Sequence, residues 1–183
     1  LGVRQGDRVA IAMRNYPEWI TSYMAVISLG AVVVPLNAWW KTEELRYALN
    51  DCGAKTVILD PRRLEYLAPV KEELRLTFIL AGEGGRGADH AYSELLRGSH
   101  TDDLPAVSIA PDDDFAIYYT SGSTGGPKGV ILTHRGAMTT LLSWAFIASA
   151  IKDARGGESF FGDNPGILLA VPLFHVTGSH SIF

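Results

Sequence analysis

The chain has 183 residues, 47% of them apolar, which is enough for one ordinary domain with a buried core. Its net charge of −4, with no basic run, excludes an electrostatic footprint for nucleic acid. A single cysteine, Cys52, excludes an internal disulfide or a cysteine-based zinc site and points to a reducing compartment, the cytoplasm.

No apolar run approaches the roughly 20 residues needed to span a bilayer, so no transmembrane segment is expected. The chain opens at Leu1 and stops at Phe183, a few residues past an apolar run, so both ends read as cut and a piece of a longer protein is expected.

Arg8 to Met13 reads as a short buried strand, with Asn15 as a helix cap and Pro17 in the first turn. Trp19, Ile20, Tyr23, Met24 and Ile27 then recur at helical spacing and are expected to form a core stripe. Gly30 closes this helix before the run Ala31 to Pro35, giving one βαβ unit. Thr42 is expected to cap a second helix, with Leu45, Ala48 and Leu49 on one face and Gly53 at its end. Thr56–Leu59 is the next strand. Asp60-Pro61 turns the chain into a helix carrying Leu64, Leu67 and Val70, which leads to a strand at Thr77–Leu80. This alternation predicts an α/β fold, a largely parallel sheet with helices on its faces.

Gly82 to Gly87 is glycine-rich, but it lacks a helix-opening pattern and reads as a surface loop rather than a nucleotide site. Ala91 to Arg97 fits one short helix. The polar stretch from Gly98 to Asp114 reads as a connector, dividing the chain into subdomains 1–104 and 105–183. Phe115–Tyr119 and Val130–Leu132 read as strands, antiparallel because the link between them is too short to cross over. Thr133 then caps a long helix through Met138, Leu141, Leu142, Ala145 and Ile147. Ile167 to Val171 reads as a buried strand, with Pro172 to Gly178 leaving its end.

The stretch from Tyr118 to Val130 carries the chemistry. Four hydroxyls within five residues (Thr120, Ser121, Ser123, Thr124), several glycines and Lys128 beside Pro127 form a set suited to phosphate. Glycine lets backbone N–H groups converge on an anion. It is not a P-loop: counting from Gly122, Pro127 stands where the second glycine belongs, Gly129 replaces the metal-binding hydroxyl, and a strand follows instead of a helix. A bare glycine–serine run between strands is often only a mobile hairpin, and the lysine and clustered hydroxyls favour a phosphate grip. His175 lies just past a strand end, the usual place for functional groups in α/β sheets. His134, His180 and Trp144 read as structural.

Tyr119 to Val130, followed by Thr133-His134-Arg135, resembles the signature loop of the adenylate-forming superfamily, which includes acyl-CoA synthetases, luciferases and peptide-synthetase adenylation domains. Gly6 to Ile11 and Leu29 to Asn37 resemble that family's N-terminal region, and Pro172-Leu173-Phe174-His175 its next motif, so the likeness covers essentially the whole chain. The overall pattern is most similar to a fatty-acid–CoA ligase. The resemblance implies part of a large N-terminal domain, and an enzyme that activates a carboxylic acid with ATP as an acyl-adenylate, releases pyrophosphate and passes the acyl group to coenzyme A.

Matched residue by residue, the likeness implies that Thr120, Ser121, Gly122, Ser123, Thr124, Gly125 and Lys128 hold the ATP phosphates, with Lys128 as a positive clamp. Mg²⁺ would share the phosphate charge, with Thr120 beside it. His175 would lie near the acyl carboxylate. Amino-acid-activating relatives usually place an aspartate there, so a fatty or aromatic acid is implied. The family's adenine motif, ribose-binding aspartate, hinge and catalytic lysine have no counterpart in this stretch, so the fragment alone is expected to be inactive and to self-associate through faces normally covered. Two other readings stay open: a non-catalytic phosphate- or nucleotide-binding module, and an adenylating domain that loads a carrier protein.

Overall fold

Short runs of branched and aliphatic residues, apolar at successive positions, suit strands covered on both faces. In the computed structural model, which describes residues 1–84, 86–98, 103–121, 126–157, 166 and 168–183, they do so. Strands β1 (Arg8–Ala12), β2 (Val32–Pro35), β3 (Thr56–Leu59), β4 (Thr77–Leu80), β5 (His90–Ala91) and β6 (Asp114–Thr120) run parallel. Strand β7 (Lys128–Thr133) pairs antiparallel with β6. The sheet order is β5-β4-β3-β1-β2-β6-β7, so the α/β architecture matches expectation.

The helices are α1 (Pro17–Ser28), α2 (Thr42–Asp51), α3 (Pro61–Leu67), α4 (Lys71–Leu74), α5 (Tyr92–Leu96), α6 (His134–Ala154) and α7 (Val176–His180). Period-two alternation sends Ala10, Val34, Val57, Leu59, Phe78 and Ile117 to one face, where Leu45, Leu49, Leu64, Leu67 and Leu74 of α2 to α4 pack. Val9, Ile11, Val33, Ile58, Ile79, Phe115 and Tyr118 face the other way, against Trp19, Tyr23 and Val26 of α1, Ala137 of α6 and Leu173. Gly30 takes φ +66 after α1, the left-handed conformation that ends the helix as its position predicts.

Several local expectations are corrected. Pro17 occupies the first helical position of α1, so its cap is Tyr16, and Asn15 lies one residue outside with its amide free for other work. Helix α2 is capped at Lys41, whose N–H donates to the Glu44 carboxylate at 2.9 Å, while the Thr42 hydroxyl donates to the Tyr66 carbonyl. Met24, placed in the core stripe by spacing, is 39% exposed because it falls on the outer side of α1.

Residues 168–171 form no strand, and Leu168 is 92% exposed. Ile167 lies outside the described residues. The backbone there bonds locally, Ala170 N–H to the Leu168 carbonyl, and to the Asn15 side chain, rather than to a neighbouring strand.

Thr133 does cap α6, accepting the Gly136 N–H at 3.2 Å. Yet of the 21 residues in α6 only Ala137 is buried; Met138, Leu142, Phe146 and Ile147 are exposed. Apolar spacing specifies which face seeks cover but does not supply the covering layer. Among the described residues, no helix is long and apolar enough to cross a membrane.

Candidate functional site

The β6–β7 hairpin closes with Tyr118 opposite Val130, Tyr119 opposite Gly129 and Thr120 opposite Lys128. Because side chains alternate along a strand and directly opposed residues share a face, Thr120 and Lys128 emerge together on the face that carries Tyr118. Thr120, Ser121 and Lys128 are exposed, and Lys128 has no ion-pair partner among the described residues. Gly122, Ser123, Thr124 and Gly125 lie outside the described residues.

Tyr119 points to the opposite face and anchors the hairpin there. Its hydroxyl lies 2.6 Å from the Asp51 carboxylate and 3.1 Å from the Ala48 carbonyl, both near the C-terminal end of α2. Its ring packs edge-on against Trp40 and covers Gly129, where an added Cβ would come within 3.4 Å of the ring and 2.9 Å of Ile117 Cγ2. Burial, then the bond to Asp51, holds the Tyr119 phenol well above its ordinary pKa, so it remains a donor. The base of the loop is thereby fixed from below.

The second part of the site is the turn from Pro172 to His180. Leu173 is buried in the core, and the His175 N–H donates to the Pro172 carbonyl at 3.0 Å. The Asn15 amide, read from sequence as a helix cap, clamps this turn on both sides of Pro172: it donates to the Val171 carbonyl at 3.0 Å and accepts the Leu173 N–H at 2.8 Å.

His175 is exposed and caps α7, its Nδ1 accepting the Thr177 N–H at 3.2 Å. The neutral ring therefore carries its proton on Nε2, leaving an outward donor. Gly178 has no alternative at its position: a Cβ there would overlap the Pro172 carbonyl oxygen and stand 2.8 Å from its carbon. Beside the turn lies a cleft of ≈ 470 Å³ whose walls include Arg14, Tyr16, Trp39 and Phe174. Trp39 and Phe174 meet edge-on at 5.2 Å.

The turn and the hairpin converge. Helix α7 packs on the Tyr118 face of the sheet, so the face that carries Thr120 and Lys128 is also the one against which the His175 turn is folded. Both lie where the parallel strands end, with Asn15 just past β1 and Thr120 at the end of β6. This is the carboxyl edge at which α/β sheets bind ligands.

His134 and His180 form part of the support. Burial lowers the pKa of both rings, and His180 Nδ1 lies 3.0 Å from the Val176 carbonyl, which requires a proton on that nitrogen. Cys52 is likewise buried and inert, its thiol pushed up to about 11 by desolvation. Sequence reasoning missed Asn15 as a clamp and Gly178 as a steric necessity. Pro17 at the first helical position carried the signal for the former, since it shifts the cap to Tyr16.

A parallel-dominated sheet whose β6–β7 hairpin opens at its carboxyl edge defines an α/β protein of the class that binds ligands at that edge. The model of the AMP-binding enzyme family matches residues 1–183, and the chain belongs to that family. Among its relatives, the long-chain-fatty-acid–CoA ligase FadD13 of Mycobacterium tuberculosis is 38% identical over 178 residues, covering 96% of this chain and 32% of the ligase. The 4-coumarate–CoA ligase CCL1 of Humulus lupulus is 32% identical over 193 residues, covering 100% of this chain and 32% of that ligase.

Among solved structures, ATP-bound MatB from Rhodopseudomonas palustris superposes with a TM-score of 0.79 at 27% identity, covering 99% of this chain and 33% of MatB. The anthranilate CoA ligase AuaEII in complex with anthranoyl-AMP gives 0.73 at 30% identity, covering 78% of this chain and 28% of that one. The chain thus spans about a third of the length of the curated relatives it matches.

Proposed function

We propose that this chain is part of an AMP-forming carboxylic acid–CoA ligase acting on a fatty or aromatic acid. The observation that carries the reading is the pairing of Thr120 with Lys128 at the mouth of the hairpin, on the sheet face that also holds the His175 turn. Relatives named as fatty-acid and 4-coumarate CoA ligases, and structural neighbours holding ATP and an acyl-AMP, support the same chemistry.

In this mechanism a carboxylate oxygen of the acid attacks the α-phosphorus of ATP and pyrophosphate leaves. A thiol then attacks the acyl carbonyl and AMP leaves. Negative charge builds on the β- and γ-phosphates in the first step, where Lys128 and the hydroxyls of Thr120, Ser121, Ser123 and Thr124 stabilise it together with the Gly122 and Gly125 backbone. Lys128 acts as an electrostatic clamp rather than a base. The hydroxyl-rich donor set suits a hard cation, and Thr120 would help to hold Mg²⁺, which would neutralise phosphate charge there. His175 would present its Nε2 proton toward the acyl carboxylate. The reading also assigns the protein to the cytoplasm, and the exposed apolar face of α6 to cover by the remainder of the enzyme; the chain by itself would self-associate through that face and would not turn over substrate.

The test is acid-dependent exchange of pyrophosphate into ATP by the full-length protein, with a fatty and an aromatic acid compared. Lys128→Ala is expected to lower kcat/KM by about 10²-fold or more, the scale for removing one charge-stabilising donor. Unchanged exchange in that variant would refute the assigned role, and thioester formation on a carrier protein instead of coenzyme A would redirect the second half-reaction.

A further inference from the structure

Three hydroxyls that this chemistry leaves unused lie in the wall between β6 and the His175 turn. Tyr23 Oη is 3.0 Å from Tyr118 Oη, and Tyr118 Oη is 2.6 Å from Ser179 Oγ. Ser179 Oγ in turn lies 3.3 Å from the His175 carbonyl and 3.1 Å from the Val176 carbonyl. Tyr23 and Ser179 are fully enclosed and Tyr118 is 7% exposed, so no bulk water completes these bonds.

Counting protons fixes the direction of the chain. Carbonyls only accept, so a series running from Tyr23 through Tyr118 and Ser179 and ending on them gives every hydroxyl proton an acceptor, whereas the reverse order leaves the carbonyls unused and the Tyr23 proton outside the series. Tyr118 then donates to Ser179, and Tyr23 to Tyr118. Every hydroxyl donates once, and the series ends on the backbone carbonyls of Val176 and His175. Burial raises the pKa of both phenols, which keeps their protons in place. The root of the series is rigid: the Tyr23 ring stacks on Trp19 at 5.0 Å and meets Phe115 edge-on at 6.0 Å.

The placement gives the network its meaning. Tyr118 precedes Thr120 by two residues and shares its face, while Ser179 follows His175 by one helical turn. Apolar side chains of the same shape would fill this space but would not select one register; a fully satisfied polar series does.

We propose that Tyr118 and Ser179 are positioning residues that lock the His175 turn to the phosphate hairpin, so that acid and ATP phosphates are presented in one fixed geometry. This rests on the ligase reading above. Neither residue touches a reacting atom; each acts through the backbone it holds.

The experiment compares Tyr118→Phe, Ser179→Ala, the two combined, and Tyr23→Phe in the full-length enzyme. Readouts are acid-dependent pyrophosphate exchange and thermal midpoint. Tyr118→Phe and Ser179→Ala should each lower kcat by about tenfold or more while the KM for ATP stays within about twofold, the signature of misplacement rather than lost binding. Because they form one link, the combined variant should be no worse than the poorer single one. Tyr23→Phe deletes an equally buried hydroxyl one step removed from His175, and should leave kcat within about twofold whatever it does to the midpoint.

Retention of kcat in Tyr118→Phe and Ser179→Ala overturns the proposal. An equal loss in Tyr23→Phe, or losses that multiply in the combined variant, also overturns it by showing a general packing effect. A wild-type enzyme without exchange overturns the ligase reading and this one with it, whereas active wild type with active variants removes only the link.

Discussion

Gly178→Ala offers a test in which two physical effects oppose each other in sign. Gly178 sits inside α7 with helical backbone, so on propensity alone alanine should stabilise it by up to about 1 kcal/mol. The structure says otherwise. The new Cβ would overlap the Pro172 carbonyl oxygen, lie 2.8 Å from its carbon and 3.2 Å from Leu173 Cα, all backbone atoms that cannot rotate away. Pro172 is itself held by the Asn15 clamp on either side and by the His175 N–H, so relief requires shifting the whole turn.

Overpacking of this kind costs about 1–3 kcal/mol, so a net loss is expected despite the better helix former. A shift of about 1 Å at His175 would cost up to about 10²-fold in turnover. The assay is thermal midpoint and pyrophosphate exchange of the full-length enzyme, with Gly136→Ala as the internal comparison, since its Cβ would meet nothing closer than Thr133 Oγ1 at 3.6 Å. A Gly178→Ala enzyme as stable and as active as Gly136→Ala would refute the reasoning.

Two further outcomes follow from buried charge and buried imidazole. Asp60 caps α3, accepts the Arg63 N–H at 3.0 Å and pairs with the Arg63 guanidinium at 2.9 Å with both side chains enclosed, so Asp60→Ala should cost about 3–5 kcal/mol in denaturant titration. A loss below about 1 kcal/mol, the scale of an exposed pair, would show that the site is hydrated. His134 and His180 bind protons less readily folded than unfolded, because burial lowers both pKa values from 6.5. Their contribution is therefore present above about pH 6.5 and is lost as pH falls through that value toward the folded-state pKa. His180→Asn, which keeps a donor for the Val176 carbonyl, should flatten the fall in thermal midpoint between about pH 7 and 5; an unchanged slope would count against His180 as its source.

Much of the sheet was legible because burial on both faces leaves a strong local trace: Val32 to Pro35 and Val57 to Leu59 are apolar without interruption. The same trace misled at residues 168–171, where an apolar run pairs with no strand among the described residues. A run of this kind declares a need for cover, and only the rest of the fold decides how it is met. Thr42 and Asn15 were mistaken for caps for a different reason. Cap identity depends on where the first helical N–H falls, and Pro17 and Glu44 settle that more firmly than the polar residue nearby. The hydroxyls and Lys128 of the hairpin were visible as chemistry. The demand for glycine at position 178 was not, because it arises only when the chain doubles back onto Pro172, and no local pattern records that return.

The order of the sheet also bears on how the protein assembles. β1 to β4 are built from neighbouring βαβ units, whose contacts close over short stretches of chain. β6 instead finds its place beside β2, which was laid down far earlier, and registers with it through the single pair Val33–Ala116. Closing so long a loop is entropically slow relative to the local units, so the hairpin should dock onto a sheet already formed. The β6–β7 hairpin is then the latest part of the sheet to be fixed, and a nascent chain would present it only after the scaffold beneath it is complete.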